Sequence, residues 1–437
     1  MTRYESKFHA EGIALRPSAG AANGALVRRL GAFERMYHRR QQKSTMHFCT
    51  VAELAGHLDS AVLDAALLVV QERHPLLNVY VADDQQTRLG FYRPASVPPI
   101  PLRIVDVAPG RNWRDVVAEE LTRPFDTSIA PLVRVVLLHA GPNTGAAIIL
   151  TVDHVIADGL SAGRILRDLF SALNGNELQA LPVPPSQEEL IGGLRDAPPA
   201  AALGAHNQTP PAQPEWFAAL STVRPFDGAV PHLSAISLDA DLTRRLVTRA
   251  RAEHTTVHSA LVSAISRVII ESGRKEFVRM LTPCDFRSHI GVDDDVCLYF
   301  TTTRTAFSRE QLTDLWDMAR VVSEQLAHGR SLPAVLAGSA AIEQFIPVDV
   351  TIDDAEAFMV RANSFEAFAS NLRVLDMGPP EAVRPVAIWG PALLAQVQGE
   401  LNAGICTFDG QLRIVCVSHD PLPEFLERVR DLVDAAC

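Results

Sequence analysis

The sequence lacks any apolar run approaching the ~18 residues of a membrane-spanning helix, so no membrane span is expected. Its N-terminus lacks the charged, apolar and small-residue series of a secretory signal, and a cytoplasmic location is the expectation. Among the six cysteines, Cys49, Cys284, Cys297, Cys406, Cys416 and Cys437, no Cys-x-x-Cys pair occurs. Neither a zinc site nor a disulfide framework is expected from that spacing. The cysteines read instead as small buried hydrophobes in a reduced compartment. A positive excess is also missing. The net charge of −11 argues against a nucleic-acid partner, which needs a basic patch. The one basic cluster, Arg35 to Lys43, reads as the solvated face of a helix, with docking of an acidic partner as a secondary reading. No internal repeat is visible.

What is present is the mix of a globular chain. Hydrophobic residues make up 47% and charged residues 21%. A length of 437 residues exceeds one compact core and suits two domains. Residues 191–214, rich in Pro, Ala and Gly, break both helix and strand periodicity and read as a linker. An N-terminal lobe is therefore expected over residues 1–190 and a C-terminal lobe over 215–437.

In the first lobe the apolar spacing predicts helices over 60–73, 113–121 and 161–173, and strands over 76–81, 103–107, 132–139 and 146–152. In the second it predicts helices over 239–252, 256–272 and 424–436, and strands over 277–282 and 298–303. Asp409-Gly410 is a tight-turn signal inside a hairpin over 405–417. This order of elements means an α/β or α+β sandwich in each half.

One segment concentrates chemistry. A buried strand ends in Asp153 and His154, a turn carries Asp158 and Gly159, and a helix follows. Strand ends of α/β layers are where ligands meet the fold. Two acids and an imidazole there cost stability unless paired, so they mark a candidate site. On spacing alone His154 reads either as a satisfied structural histidine or as a general base. Gly159 reads as a residue that lets the backbone turn tightly into the helix.

Asp153-His154-Val155-Ile156-Ala157-Asp158-Gly159 resembles the His-His-x-x-x-Asp-Gly signature of the superfamily that holds nonribosomal peptide synthetase condensation domains, polyketide-associated acyltransferases and chloramphenicol acetyltransferase. Further stretches are similar in order and spacing. They are Arg73-His74-Pro75-Leu76-Leu77, the Pro124-Phe125-Asp126 run up to Arg134, Asp285-Phe286-Arg287 followed by residues 297–304, and the pair Ser370-Asn371. These matches span about residues 30–420.

The resemblance implies an α/β fold of two chloramphenicol acetyltransferase-like sandwich lobes, arranged as a V around a central channel. It implies His154 as the catalytic residue and Asp158 as an outward-pointing carboxylate paired with an arginine, for which Arg287 is the candidate. Asp153 and Gly159 are implied as supporting motif positions, and Ser370 and Asn371 as channel-lining. The departure is Asp153, where the family usually has His; such an Asp is expected to orient or charge the imidazole, or to pair with a nearby donor.

The implied function is that of a free-standing ester-forming O-acyltransferase. The donor would be a thioester on coenzyme A or an acyl carrier protein. The acceptor would be a small-molecule or lipid alcohol. No metal and no tightly bound cofactor are implied. Amide formation is the alternative chemistry, and a non-catalytic carrier-protein-docking homologue the alternative class.

Overall fold

The structure, a computed structural model, describes residues 24–84, 88–106, 110–139, 145–196, 214–379 and 381–437. Most of the expected linker, 197–213, lies outside them. Its first residues are helical, because helix Gln187–Asp196 runs through them.

Two sheets organise the chain. The first has five strands in the order Ala387–Leu393, His47–Leu54, Ala146–Asp153, Val133–His139, Leu102–Asp106. Only the last pair is parallel. Strand Ala146–Asp153 is central and buried along its whole length, as an unbroken apolar run requires. Helices Ser60–Arg73 and Gly159–Leu173 pack together over this sheet. The second sheet has six strands in the order Phe300–Ser308, Phe277–Asp285, Ala367–Val374, Leu401–Phe408, Gln411–Ser418, His232–Leu238. Helices Val257–Glu271, Leu315–Gly329 and Phe425–Ala436 share its core. A small third sheet joins Ala25–Arg29, Leu89–Arg93 and Tyr80–Asp83.

The two main sheets are tied by a strand that the apolar spacing does not reveal. Ala387–Leu393, from the C-terminal half, pairs antiparallel with His47–Leu54 and forms the edge of the first sheet. Behind it, Trp389 and Trp113 pack with Leu233, Val415 and Val417 of the second sheet in one cluster. Pro391 lies so close to Gly404 that a Cβ there would come within 1.9 Å of the Pro391 carbonyl oxygen. Gly404 therefore serves close approach of two backbones.

Local differences from the sequence reading have physical causes. The strand expected over 76–81 starts only at Tyr80, because Pro75–Asn78 forms a 3₁₀ turn pre-set by its proline. The hairpin turn forms at Asp409-Gly410, with φ of 50° and 73° respectively, the left-handed pair that a two-residue hairpin needs. The helix carrying the basic cluster, Ala32–Gln41, is not a solvated face: most of it is buried. Its arginines reach neighbouring carbonyl oxygens, Arg35 to those of Leu30 and Ile346 and Arg39 to that of Val350. Lys43 pairs with Asp353 and Glu356. The six cysteines are unbonded, and all but Cys437 are buried. Among the described residues no helix is long and apolar enough to cross a membrane.

Candidate active site

His154 follows the last residue of the central strand, and its backbone N–H donates to the Met46 carbonyl at 2.8 Å. The ring lies in an aromatic box. Tyr37 stacks on it at 4.5 Å with 29° between planes, and Phe48 and Phe300 close the other sides at 5.1 and 5.7 Å. Nδ1 is buried without a hydrogen-bond partner. The His154 ring lines a cavity. Burial pushes the imidazole pKa down to about 4, and the Asp158 charge and nearby backbone groups pull it back only part of the way. At neutral pH the ring is uncharged and free to accept a proton.

Asp158 caps helix Gly159–Leu173. Its Oδ1 accepts from the Ser161 N–H at 2.9 Å and the Ser161 hydroxyl at 2.8 Å. Its Oδ2 accepts from the Tyr299 N–H at 3.1 Å and pairs with Arg287 Nη1 at 2.8 Å. Arg287, 3% exposed, also reaches Asp285 at 2.9 Å, the Cys297 carbonyl at 3.0 Å and the Ser161 hydroxyl at 3.2 Å. Burial opposes ionisation of Asp158, but Arg287 and these donors outweigh it and hold the carboxyl below its ordinary range. The turn after His154 is thereby bolted to the segment that follows strand Phe277–Asp285. A second bolt lies further along the same helix, where Arg73 and His74 reach Asp168 at 2.6 and 2.9 Å.

Asp153 is held by donors around it. It is 1% exposed, and its Oδ1 accepts from the Val155 N–H at 2.9 Å. The Gln41 amide, oriented with its nitrogen towards the carboxyl, donates to the two oxygens at 3.1 and 2.8 Å. The carboxylate whose charge reaches the His154 ring is Asp158, not Asp153. Burial pushes the Asp153 pKa up to about 7, against the pull of Val155, Arg134 and Gln41. Of the roles expected at this position, the structure supplies pairing with a nearby donor.

Gly159 has a different reason from the expected turn. It is helical, and a Cβ on it would come within 2.7 Å of Leu372 Cδ2. The glycine leaves room for the Leu372 side chain where the helix packs on strand Ala367–Val374. Ser370 and Asn371, on that strand, line the cavity with His154. Asn371 Oδ1 accepts from the Arg373 N–H at 2.8 Å.

The cavity, about 450 Å³, draws its walls from both halves of the chain. Met46 and Phe48 come from the first; Val257, Leu281, Phe300 and Phe368 from the second. Its lining is mostly apolar, the usual character of a small-molecule site. Tyr37, Gln41 and the cavity-lining His258 carry no motif and escaped sequence reading. The i, i+4 spacing of Tyr37 and Gln41 on one helix is the only signal that could have paired them. Among the described residues no cluster of His, Cys, Asp and Glu could hold a metal ion.

Residues 33–192 match the family described as "Condensation domain". Over those residues the chain is similar to that family. Its whole architecture is similar to that of solved structures. Polyketide synthase associated protein 5 from Mycobacterium tuberculosis superposes with a TM-score of 0.65 at 17% identity, over 94% of this chain and 98% of that one. The condensation domain of the Monacolin K polyketide synthase MokA gives 0.62 at 12% identity, over 94% and 98%.

Among curated proteins, a dimodular nonribosomal peptide synthase of Bacillus subtilis is 24% identical over 66% of this chain. The phosphinothricin tripeptide synthetase of Streptomyces viridochromogenes is 25% identical over 59%. The chain spans 13% and 22% of those two proteins' own lengths. The condensation-domain fold thus places His154 on a cavity between two sheet-based lobes.

Proposed function

We propose that the protein is an O-acyltransferase that moves an acyl group from a thioester to an alcohol, forming an ester in lipid or polyketide natural-product biosynthesis. The donor would be carried on coenzyme A or an acyl carrier protein. The observation that carries this reading is the neutral His154 imidazole opening on a cavity walled by both halves.

In this scheme the acceptor hydroxyl gives its proton to the His154 imidazole as its oxygen attacks the thioester carbonyl. The tetrahedral intermediate collapses, the C–S bond breaks, and the leaving thiolate takes the proton back from the imidazolium. Asp158 and Arg287 hold the turn and stay out of the proton transfer. Ser370 and Asn371 line the substrate path.

An alcohol acceptor is favoured by charge. Asp158 and Asp285 are the only carboxylates among the described lining residues, and Arg287 engages both. Neither is free to hold an ammonium group or take its extra proton. Amide formation is the second reading, supported by relatives that are nonribosomal peptide synthetases. A docking homologue without turnover is the third, supported by Asp153 in place of the family's usual histidine.

Octanoyl-coenzyme A and octanoyl-pantetheine, each offered with 1-octanol or 1-octylamine, separate these readings. Thiol release with an ester mass supports the first. An amide mass alone supports the second, and no thiol release from any pair supports the third.

A further inference from the structure

Helix Ala32–Gln41 crosses the His154 turn and presents two side chains there, one helical turn apart on one face. Tyr37 lies flat against the imidazole. Gln41 reaches both oxygens of the Asp153 carboxyl. The helix is itself anchored on the C-terminal half, through Arg35 to the Ile346 carbonyl at 3.0 Å and Arg39 to the Val350 carbonyl at 3.1 Å. It is therefore a fixed strut where it meets the turn.

A buried carboxyl needs donors, and the hydrogen bonds at Asp153 come from the Val155 N–H, inside the turn, and from Gln41, outside it. Gln41 is the link that ties the start of the turn to the strut.

We propose that Gln41 and Tyr37 are positioning residues for His154: Gln41 clamps Asp153 and so fixes the turn from 153 to 158, and Tyr37 sets the plane of the imidazole. The inference rests on the reading of His154 as the base and names what aims it.

The test uses the full chain and the variants Gln41→Leu, Tyr37→Leu, Tyr37→Phe and Asp153→Asn. The His154 ring signal is followed by NMR on histidine-labelled protein, assigned through its loss in His154→Ala. Thermal midpoints, kcat and KM are measured beside it.

Tyr37→Leu should move the His154 signal, because the stacked ring is lost, and Tyr37→Phe should not. Gln41→Leu should move it too and lower kcat about tenfold or more, with KM within about twofold. Asp153→Asn leaves one acceptor oxygen and sets an amide NH2 against Gln41, so it should move the signal and lower kcat in the same direction as Gln41→Leu.

An unmoved signal in both leucine variants would overturn the proposal. So would a kcat loss fully explained by a lowered thermal midpoint. If the wild type turns over no thioester yet the signal responds as stated, the acyl-transfer reading fails and the positioning role stands.

Discussion

Arg287 Nη1 lies 2.8 Å from Asp158 Oδ2, joining the second sheet's Phe277–Asp285 segment to the turn that carries His154. Both side chains are nearly inaccessible. Removing Arg287 strands the Asp158 charge in the interior, at a cost of about 3–5 kcal/mol, whereas removing Asp158 leaves Arg287 paired with Asp285 and should cost less. Asp158→Ala and Arg287→Ala should each lower the thermal midpoint and activity. The double variant should cost less than the sum, since contacting groups are non-additive. Strict additivity in denaturant titrations would contradict the pairing.

Acid should expose the same pair. Asp158 titrates lower in the fold than its ordinary value of 3.8. Its contribution is therefore fully present above pH 3.8 and is lost as pH falls through the lower, folded value. Asp158→Asn should remove that component, leaving a shallower stability loss below pH 4 in urea titrations than the wild type shows.

Asp153 should behave in the opposite sense. Its folded pKa of about 7 lies above the ordinary 3.8. The folded state thus binds the extra proton, and stability from this group falls as pH rises from 3.8 to 7. Asp153→Asn should match the wild type near pH 4 and exceed it in thermal midpoint at pH 8. A difference that does not grow with pH would contradict the buried carboxyl.

Two glycines test packing. A Cβ at Gly404 would meet Pro391 backbone at 1.9 Å, whereas one at Gly159 would meet the movable end of Leu372 at 2.7 Å. Gly404→Ala should therefore cost more than Gly159→Ala, with overpacking of about 1–3 kcal/mol as the scale. Denaturation midpoints of the two variants check the order.

Much of this was legible before any coordinates. The apolar offsets over 161–173 mark the helix behind the His154 turn, because an amphipathic stripe is a local signal. Asp409-Gly410 marks its hairpin for the same reason. The spacing of His154, Asp158 and Arg287 was recognisable only through a resemblance, since the ion pair joins segments 129 residues apart. Strand Ala387–Leu393 was not legible: its partner, His47–Leu54, lies in the other half of the chain. Burial of helix Ala32–Gln41 was hidden by its own arginines, whose charge suggests solvent while their forks bind main-chain oxygens. The Gln41–Asp153 contact was hidden likewise, because a surface glutamine and a buried clamp read alike in sequence.

His154 has an additional pH signature. A base must be neutral to accept a proton, so turnover should hold steady from pH 8 down to about 5 and fall as pH drops through about 4. A fall centred near pH 6.5 would place the imidazole in water rather than in its aromatic box.

The most direct measurement compares wild type and His154→Ala in one assay. Octanoyl-coenzyme A and 1-octanol are incubated with each at pH 7, and octyl octanoate is quantified by mass spectrometry. The account predicts ester from the wild type and a loss of about 100-fold or more in the variant, with both proteins folded by thermal midpoint. Ester formation by the variant at the wild-type rate would contradict it.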